Sequence, residues 1–114
     1  EKLISKKNIA DSIVSVSKVE STHPAFDVIV GEDELIKPFL GDSFSVLRRQ
    51  DLDDLYFFDG TIYISKISSL IQNKSFYHSR TLPFIVPRWK SIEIDEIMDL
   101  LIAETFIKNK SLLT

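Results

Sequence analysis

The segment 91–95 reads Ser-Ile-Glu-Ile-Asp, and it holds the two carboxylates best suited to chemistry in this chain. Side chains alternate along an extended backbone, so Glu93 and Asp95 share one face while Ile92 and Ile94 point into a core. Mg²⁺ commonly takes one or two carboxylates together with phosphate oxygens. The spacing therefore indicates a Mg²⁺ site at Glu93 and Asp95. The alternative interpretation is that Asp95 is only a helix N-cap and Glu93 a solvated strand residue.

The second candidate is the run Arg48-Arg49-Gln50, which precedes an aromatic stretch and a glycine at position 60. An arginine fork can donate two parallel hydrogen bonds to a carboxylate or a phosphate. A glycine such as Gly60 before a strand lets a ligand approach the backbone closely. The alternative is that the paired arginines are solvated surface charges.

The remaining aromatic and imidazole side chains point less clearly to chemistry. Phe76 and Tyr77 are adjacent, a pattern more typical of packing than of a ligand wall. His23 and His78 have no partner at metal-ligand spacing, so we expect structural or surface roles for both.

Local patterns predict the elements that must position these residues. Strands are predicted at 12–19, 27–30, 60–64 and 82–86, and a short helix at 66–73. The stretch 32–54 is less regular and indicates an excursion from the sheet. A final helix is predicted with Asp95 as its N-cap. Its buried face is predicted to hold Met98, Leu101, Ile102 and Thr105. Alternating strands and helices predict an α/β layered domain.

Composition narrows the class of protein. The 114 residues correspond to one domain, and 44% hydrophobic with 27% charged residues is typical of a globular protein. The net charge of −3 and the scattered basic residues argue against a nucleic-acid partner. No apolar run reaches the roughly 20 residues that a membrane span needs. The absence of cysteine fits a cytoplasmic location. The first residues have no signal-peptide layout and are typical of a helix tail, as if the chain were cut from a longer protein.

Taken in order, these motifs resemble the acylneuraminate cytidylyltransferases, the CMP-sialic acid synthetases. The resemblance extends over roughly residues 10–108 and rests on the order and spacing of many short motifs. They are Asp11 to Val16 (DSIVSV), His23-Pro24, Arg49 to Leu52 (RQDL), Asp59 to Ile64 (DGTIYI), Thr81, Pro87, Ser91 to Asp95 (SIEID), Asp99 and Ala103-Glu104.

The resemblance implies specific roles for residues at matching positions. Asp95 corresponds to the principal Mg²⁺ ligand, with Glu93 in place of a companion aspartate. Arg49 corresponds to the arginine that contacts the sugar carboxylate, and Asp95 and Arg49 are the implied catalytic residues. The implied substrate-binding residues are Arg49, Gln50, Asp59, Gly60, Tyr63, Phe76 and Tyr77.

Two departures from the family pattern bear on the sugar. Asp59 replaces an asparagine, which exchanges an amide able to donate for an acceptor-only group. Phe26 stands where some members have a lysine. Both departures favour a relative of N-acetylneuraminate, such as legionaminic or pseudaminic acid.

The resemblance also implies a fold and partners. The fold is a three-layer α/β nucleotide-diphospho-sugar transferase-like fold, of which residues 1–114 form the carboxy-terminal half. It has a mixed sheet, flanking helices and a protruding dimerisation arm at 24–56, so a homodimer is expected. The substrates are CTP and a sialic acid-like sugar acid. No phosphate-cradling glycine loop is present, so the chain alone is expected to be inactive. Alternatives are a Kdo-type or other sugar nucleotidyltransferase and a non-catalytic dimerisation or binding module.

Overall fold

The computed structural model describes residues 1–41 and 48–114, where helices and strands are mixed as the sequence pattern predicts. The helices are α1 (Lys2–Ser5), α2 (Ile67–Asn73), α3 (Ile97–Lys108) and α4 (Lys110–Leu113). The strands are β1 (Ser12–Lys18), β2 (Val28–Val30), β3 (Ile36–Pro38), β4 (Tyr56–Ser65) and β5 (Thr81–Ile85). Among the described residues, no helix combines the length and apolar character that crossing a membrane requires.

Strand β1 is the centre of the larger sheet, whose order is β4-β1-β5. It runs parallel to β5, with Ser12 opposite Thr81 and Val16 opposite Ile85. Backbone hydrogen bonds from Lys66 to Asp11 at one end and from Val19 to Leu55 at the other make β4 antiparallel. The sheet is therefore mixed, as expected.

Burial is concentrated on β1. Its first six residues are all buried, and Val14 is only 2% exposed. The β-branched residues suit a pleated strand with neighbours on both sides, while the serines between them supply hydroxyls to a polar network within the sheet. The predicted strand at 12–19 and helix at 66–73 are confirmed to within one residue at each end.

The chain divides into two compact units, residues 1–17 with 57–114 and residues 18–56. In the second unit, β2 and β3 form an antiparallel pair in which Val28 lies opposite Pro38. The sequence pattern predicts a strand at 27–30, close to β2, but predicts no regular element at β3. Residues 42–47 of the predicted arm lie outside the described residues.

Two predictions for the last helix are wrong. Its N-cap is Glu96 rather than Asp95, because a reciprocal capping box joins Glu96 to Asp99. None of its residues is buried, including the predicted buried face, where Met98 is 60% and Leu101 is 58% exposed. A helical repeat of apolar residues identifies a face that could be buried, but burial also needs a layer to cover that face.

Candidate functional site

The centre of the candidate site is Asp59, a carboxylate buried in the middle of β4 with 1% of its surface exposed. Ser15 donates a hydrogen bond to Oδ1 and Ser17 donates one to Oδ2 at 2.9 Å. The backbone N–H of Thr61 donates a third, to Oδ1 at 3.1 Å. The serines project from β1, so Asp59 joins the two strands through side chains as well as through the backbone.

The same hydrogen bonds decide the charge of Asp59. Burial is the largest influence and raises the pKa, but the combined hydrogen bonds from Ser15, Thr61 and Ser17 leave the pKa below its usual value of 3.8. Asp59 is thus ionised at neutral pH. Both of its oxygens accept hydrogen bonds from the protein.

Gly60 follows in a left-handed conformation with φ of +72°. A Cβ atom added to Gly60 would lie 2.0 Å from Oε1 of Glu93 and 3.2 Å from its Cδ. Glu93 thus occupies the space that any other residue at position 60 would fill. The structure brings Glu93 against Gly60 although more than thirty positions separate the two residues. The sequence pattern predicts a ligand against this glycine, whereas the structure has the side chain of Glu93 there.

Segment 91–95 carries the predicted metal ligands but is not a regular strand. Ser91 is buried and Ile92 is half-buried, whereas Ile94 is 57% exposed, so the expected inward face is only partly formed. Asp99 accepts hydrogen bonds from the backbone N–H groups of Asp95 and Glu96, at 3.1 and 2.9 Å. The cap therefore uses the backbone of Asp95 and leaves its side chain exposed.

Glu93 and Asp95 are both exposed, and neither makes an ion pair within 1–41 and 48–114. Two open carboxylates fit Mg²⁺, which prefers oxygen ligands and often takes only one or two from the protein. No cluster of three or more His, Cys, Asp or Glu side chains suited to a metal is found in the described part of the chain. Any cation held here would need further ligands from a substrate or from water.

The three predicted aromatic residues lie together. The Tyr63 ring is centred 5.5 Å from that of Phe76 and 6.1 Å from that of Tyr77. A hydrogen bond with Tyr63, aided by burial, raises the pKa of Tyr77 above its usual value of 10. Phe58, which the sequence analysis did not single out, lies closest, with its ring 4.2 Å from Tyr77. Phe58 is adjacent to Asp59 in the chain, and no pattern in the sequence around it predicts a contact with Tyr77.

A hydrogen-bonded cluster anchors these aromatics, and sequence reasoning missed it. The carbonyl of Phe76 accepts from the hydroxyls of Ser12 and Thr81, both at 2.9 Å. His78 Nε2 lies 3.1 Å from Ser12 Oγ and 3.2 Å from Ser69 Oγ. His78 is therefore structural, as expected. Beside the cluster is a largely apolar cavity of about 250 Å³ that Phe58, Tyr77 and His78 help to line.

Arg49 and Gln50 belong to the second unit, in a short 3-10 turn at Arg49–Asp51. They line a cavity of about 470 Å³ in that unit, with Lys18, Val19, Glu20, His23, Leu52, Asp53 and Asp54. Lys18 forms a 2.7 Å ion pair with Asp54. Arg49 thus lies in a mixed-charge pocket.

His23 contributes a buried donor to the same unit. Its Nδ1 accepts a hydrogen bond from the backbone N–H of Ala25 at 3.1 Å, which leaves the proton of the neutral ring on Nε2. That Nε2 is buried and lacks a hydrogen-bond partner among the described residues. No residue pattern predicts this arrangement, because the partner of Nδ1 is a backbone group.

Comparisons with known proteins agree with the motif series. No protein-family model matches the chain. The N-acylneuraminate cytidylyltransferase of Streptococcus agalactiae serotype V is 33% identical over 85 residues, which cover 75% of this chain and 20% of that protein. The CMP-N,N'-diacetyllegionaminic acid synthase of Legionella pneumophila subsp. pneumophila is 30% identical over 98 residues, 85% of this chain and 41% of that protein.

The chain thus spans about a fifth to two fifths of the length of these relatives. One name is that of a cytidylyltransferase for N-acylneuraminate, and the other is that of a synthase for CMP-N,N'-diacetyllegionaminic acid. The match extends over most of the chain and agrees with the resemblance inferred from the motifs. The chain is therefore a homologue of the N-acylneuraminate cytidylyltransferases, the CMP-sialic acid synthetases.

Proposed function

We propose that this chain is the sugar- and metal-binding part of a cytidylyltransferase that transfers CMP from CTP to a sialic acid-like nonulosonic acid. The observation that carries the proposal is the packing of Glu93, two residues before the exposed Asp95, against Gly60. It unites two motifs, Asp-Gly-Thr-Ile-Tyr and Ser-Ile-Glu-Ile-Asp, by which the sequence resembles this family. The names of both relatives support the same chemistry.

The proposed reaction forms one bond and breaks one. The anomeric hydroxyl oxygen of the sugar acid bonds to the α-phosphorus of CTP, and the bond from that phosphorus to the bridging oxygen breaks. Pyrophosphate leaves with the bonding electrons, and the hydroxyl proton passes to a base or to solvent. The demands on the protein are to position the nucleophile and to neutralise charge on the phosphates.

Glu93 and Asp95 would hold Mg²⁺, which supplies charge neutralisation to the phosphates when bound. Both side chains are exposed and free of ion pairs in the described part of the chain, so neither must break an ion pair to become a ligand. The longer side chain of Glu93 reaches back over Gly60.

Arg49 and Gln50 would bind the carboxylate and hydroxyl groups of the sugar acid. Their pocket of about 470 Å³ is of the size that small ligands occupy. Tyr63, Phe76 and Tyr77 would pack against the N-acyl group, an apolar role that suits clustered rings. Arg49 and Asp95 are the residues we assign to catalysis.

The remaining fold assignments belong to the same proposal. We place the chain in the carboxy-terminal half of a three-layer nucleotide-diphospho-sugar transferase-like domain, in the cytoplasm, with 24–56 as a dimerisation arm. In support, β2 and β3 leave large apolar side chains exposed, among them Val30 at 69% and Ile36 at 55%.

Light scattering of the protein that contains this chain should give a dimer, and a monomer at all concentrations would contradict the arm.

Turnover assays test the function directly. The longer protein, given CTP, Mg²⁺ and a panel of sugar acids, should release pyrophosphate with legionaminic, pseudaminic or N-acetylneuraminic acid. Activity with Kdo alone would favour the Kdo-type branch. The 114-residue chain by itself should release none, because it has no phosphate-cradling loop.

A non-catalytic binding module is the second candidate. It is favoured by the contacts of Asp59, whose two oxygens accept hydrogen bonds from Ser15, Ser17 and Thr61 within the sheet, as expected where such residues only pack. Loss of turnover on replacing Asp95 by Asn in the longer protein, with its thermal stability unchanged, would exclude that alternative.

A further inference from the structure

We infer that Asp59 is a positioning residue, which sets the place of the Glu93 carboxylate through the backbone of Gly60 and makes no contact with substrate. The inference rests on the proposed function for the role of Glu93, but its geometry is independent of that role. It differs from the sequence-based expectation, in which Asp59 touches the sugar directly.

The first step is that Asp59 faces the protein. It is 1% exposed, and Ser15, Ser17 and the N–H of Thr61 donate to its two oxygens. A sugar hydroxyl could reach these oxygens only if the buried groups around them moved. Direct recognition of a substrate by this carboxylate would therefore cost the sheet part of its own hydrogen bonding.

The second step links Asp59 to Gly60. Accepting the N–H of Thr61 closes a local turn around Gly60, since the acceptor and the donor lie on either side of it. This turn holds Gly60 at a φ of +72°, which residues with a side chain rarely adopt. A backbone fixed in this way presents a bare Cα where other residues would carry a Cβ.

The third step links Gly60 to Glu93. Oε1 of Glu93 lies 2.0 Å from the position of the missing Cβ, and its Cγ lies 3.9 Å away. The carboxylate can occupy this place only while Gly60 keeps both its identity and its conformation. Asp59 therefore sets the position of the Glu93 carboxylate indirectly, through the backbone of Gly60.

The number of hydrogens available to Ser17 allows the charge of Asp59 to be removed without changing the shape of its side chain. Ser17 has one hydroxyl hydrogen but lies 2.9 Å from two acceptors, Asp59 Oδ2 and the carbonyl of Val86. An asparagine at 59 could keep Oδ1 as the acceptor for Ser15 and Thr61 and donate from Nδ2 to Ser17. Ser17 would then donate to Val86, and no heavy atom would move.

The test compares Asp59→Asn with Asp59→Ala in the full chain, with Glu32→Gln as a control for loss of one exposed charge. NMR should show an NOE between the Gly60 Hα and Glu93 Hγ protons in the wild type, in Asp59→Asn and in the control. It should be absent in Asp59→Ala. Water-proton relaxation with Mn²⁺ alone should show binding about tenfold weaker only in Asp59→Ala, as for loss of a group that orients a ligand. Intact mass must confirm that the new Asn-Gly pair has not deamidated.

Loss of the NOE in Asp59→Asn, or its survival in Asp59→Ala, would overturn the inference. If Asp59→Ala does not fold, Gly60→Asn replaces it, because asparagine tolerates positive φ but carries the Cβ that must displace Glu93. That variant should fold and lose the NOE. If the NOE follows these expectations while Mn²⁺ binding is equal in every variant, positioning by Asp59 stands and the proposed metal role of Glu93 fails.

Discussion

Two carboxylates, one within the larger sheet and one just before its central strand, are stabilised by opposite means. Asp59 is buried in β4 and receives hydrogen bonds from neutral hydroxyl and amide groups. Asp11, just before β1, is half-buried and forms ion pairs with Arg80 and with Lys66, the latter at 2.6 Å. Both have a lowered pKa, and that of Asp11 falls from 3.8 to about 2, chiefly through the Arg80 hydrogen bond and then that of Lys66.

Of the two environments, that of Asp59 is the one that can position a functional group. Neutral donors fixed in the strands hold Asp59 in one geometry, and salt cannot screen them. The long side chains of Arg80 and Lys66 are 46% and 39% exposed, so their attraction to Asp11 is screened and costs side-chain entropy. We therefore expect substitutions around Asp59 to have large effects that do not depend on salt, and those around Asp11 to have small ones that do.

The largest effect is expected from Ser15→Ala. Ser15 donates to Asp59 and accepts from the N–H of Ile62 at 2.8 Å, so its removal leaves both groups short of a partner. The free energy of unfolding should fall by about 3 kcal/mol. Urea denaturation at low and high salt measures this, with exposed Ser68→Ala on α2 as the matched control. A fall in the free energy of unfolding no larger than that of Ser68→Ala would contradict the hydrogen bonds assigned to Ser15.

A smaller effect is expected from Gly60→Ala, for which Gly41→Ala is a matched control. Both glycines have positive φ, +72° and +81°, but a Cβ on Gly41 meets nothing within 4 Å. Each substitution should cost about 1–2 kcal/mol in backbone strain. Only Gly60→Ala should also displace Glu93 and weaken Mn²⁺ binding. Equal Mn²⁺ binding by the two variants would show that Glu93 is not a metal ligand.

The sequence predicted the elements of the sheet well and its polar interior poorly. The β-branched run at 12–19 predicts β1, since branched residues suit a strand whatever surrounds it. The serines on that strand have no pattern of their own, because Ser15 and Ser17 matter only once β4 brings Asp59 opposite them. A contact between residues 44 positions apart is set by strand register, which the local sequence does not encode.

In the candidate site, too, the residues were easier to predict than the contacts between them. Gly60 and Glu93 were each singled out from local patterns, but their contact depends on how segment 91–95 returns to β4. Asp95 was predicted to cap α3, yet Glu96 fulfils that role, a shift of one residue that leaves the Asp95 carboxylate open. Asp95 and Glu96 are adjacent acidic residues, and both are suited to the N-cap position of α3. The reciprocal hydrogen bonds between Glu96 and Asp99 place Glu96 there.

The smallest effect is expected from Asp11→Asn, and its dependence on pH and salt is what distinguishes it. Because the pKa of Asp11 is lower in the folded chain than its usual 3.8, the ionised form stabilises the fold. That contribution is fully present above the unfolded value and is lost as pH falls toward about 2. The difference in stability between wild type and Asp11→Asn should thus shrink as pH falls between these values and vanish below about 2. It should also shrink in about 1 M salt, where charges are screened within a few ångströms. Thermal melts across pH and salt measure both, and a difference that survived high salt would show that Asp11, like Asp59, is held by geometry rather than by exposed charge.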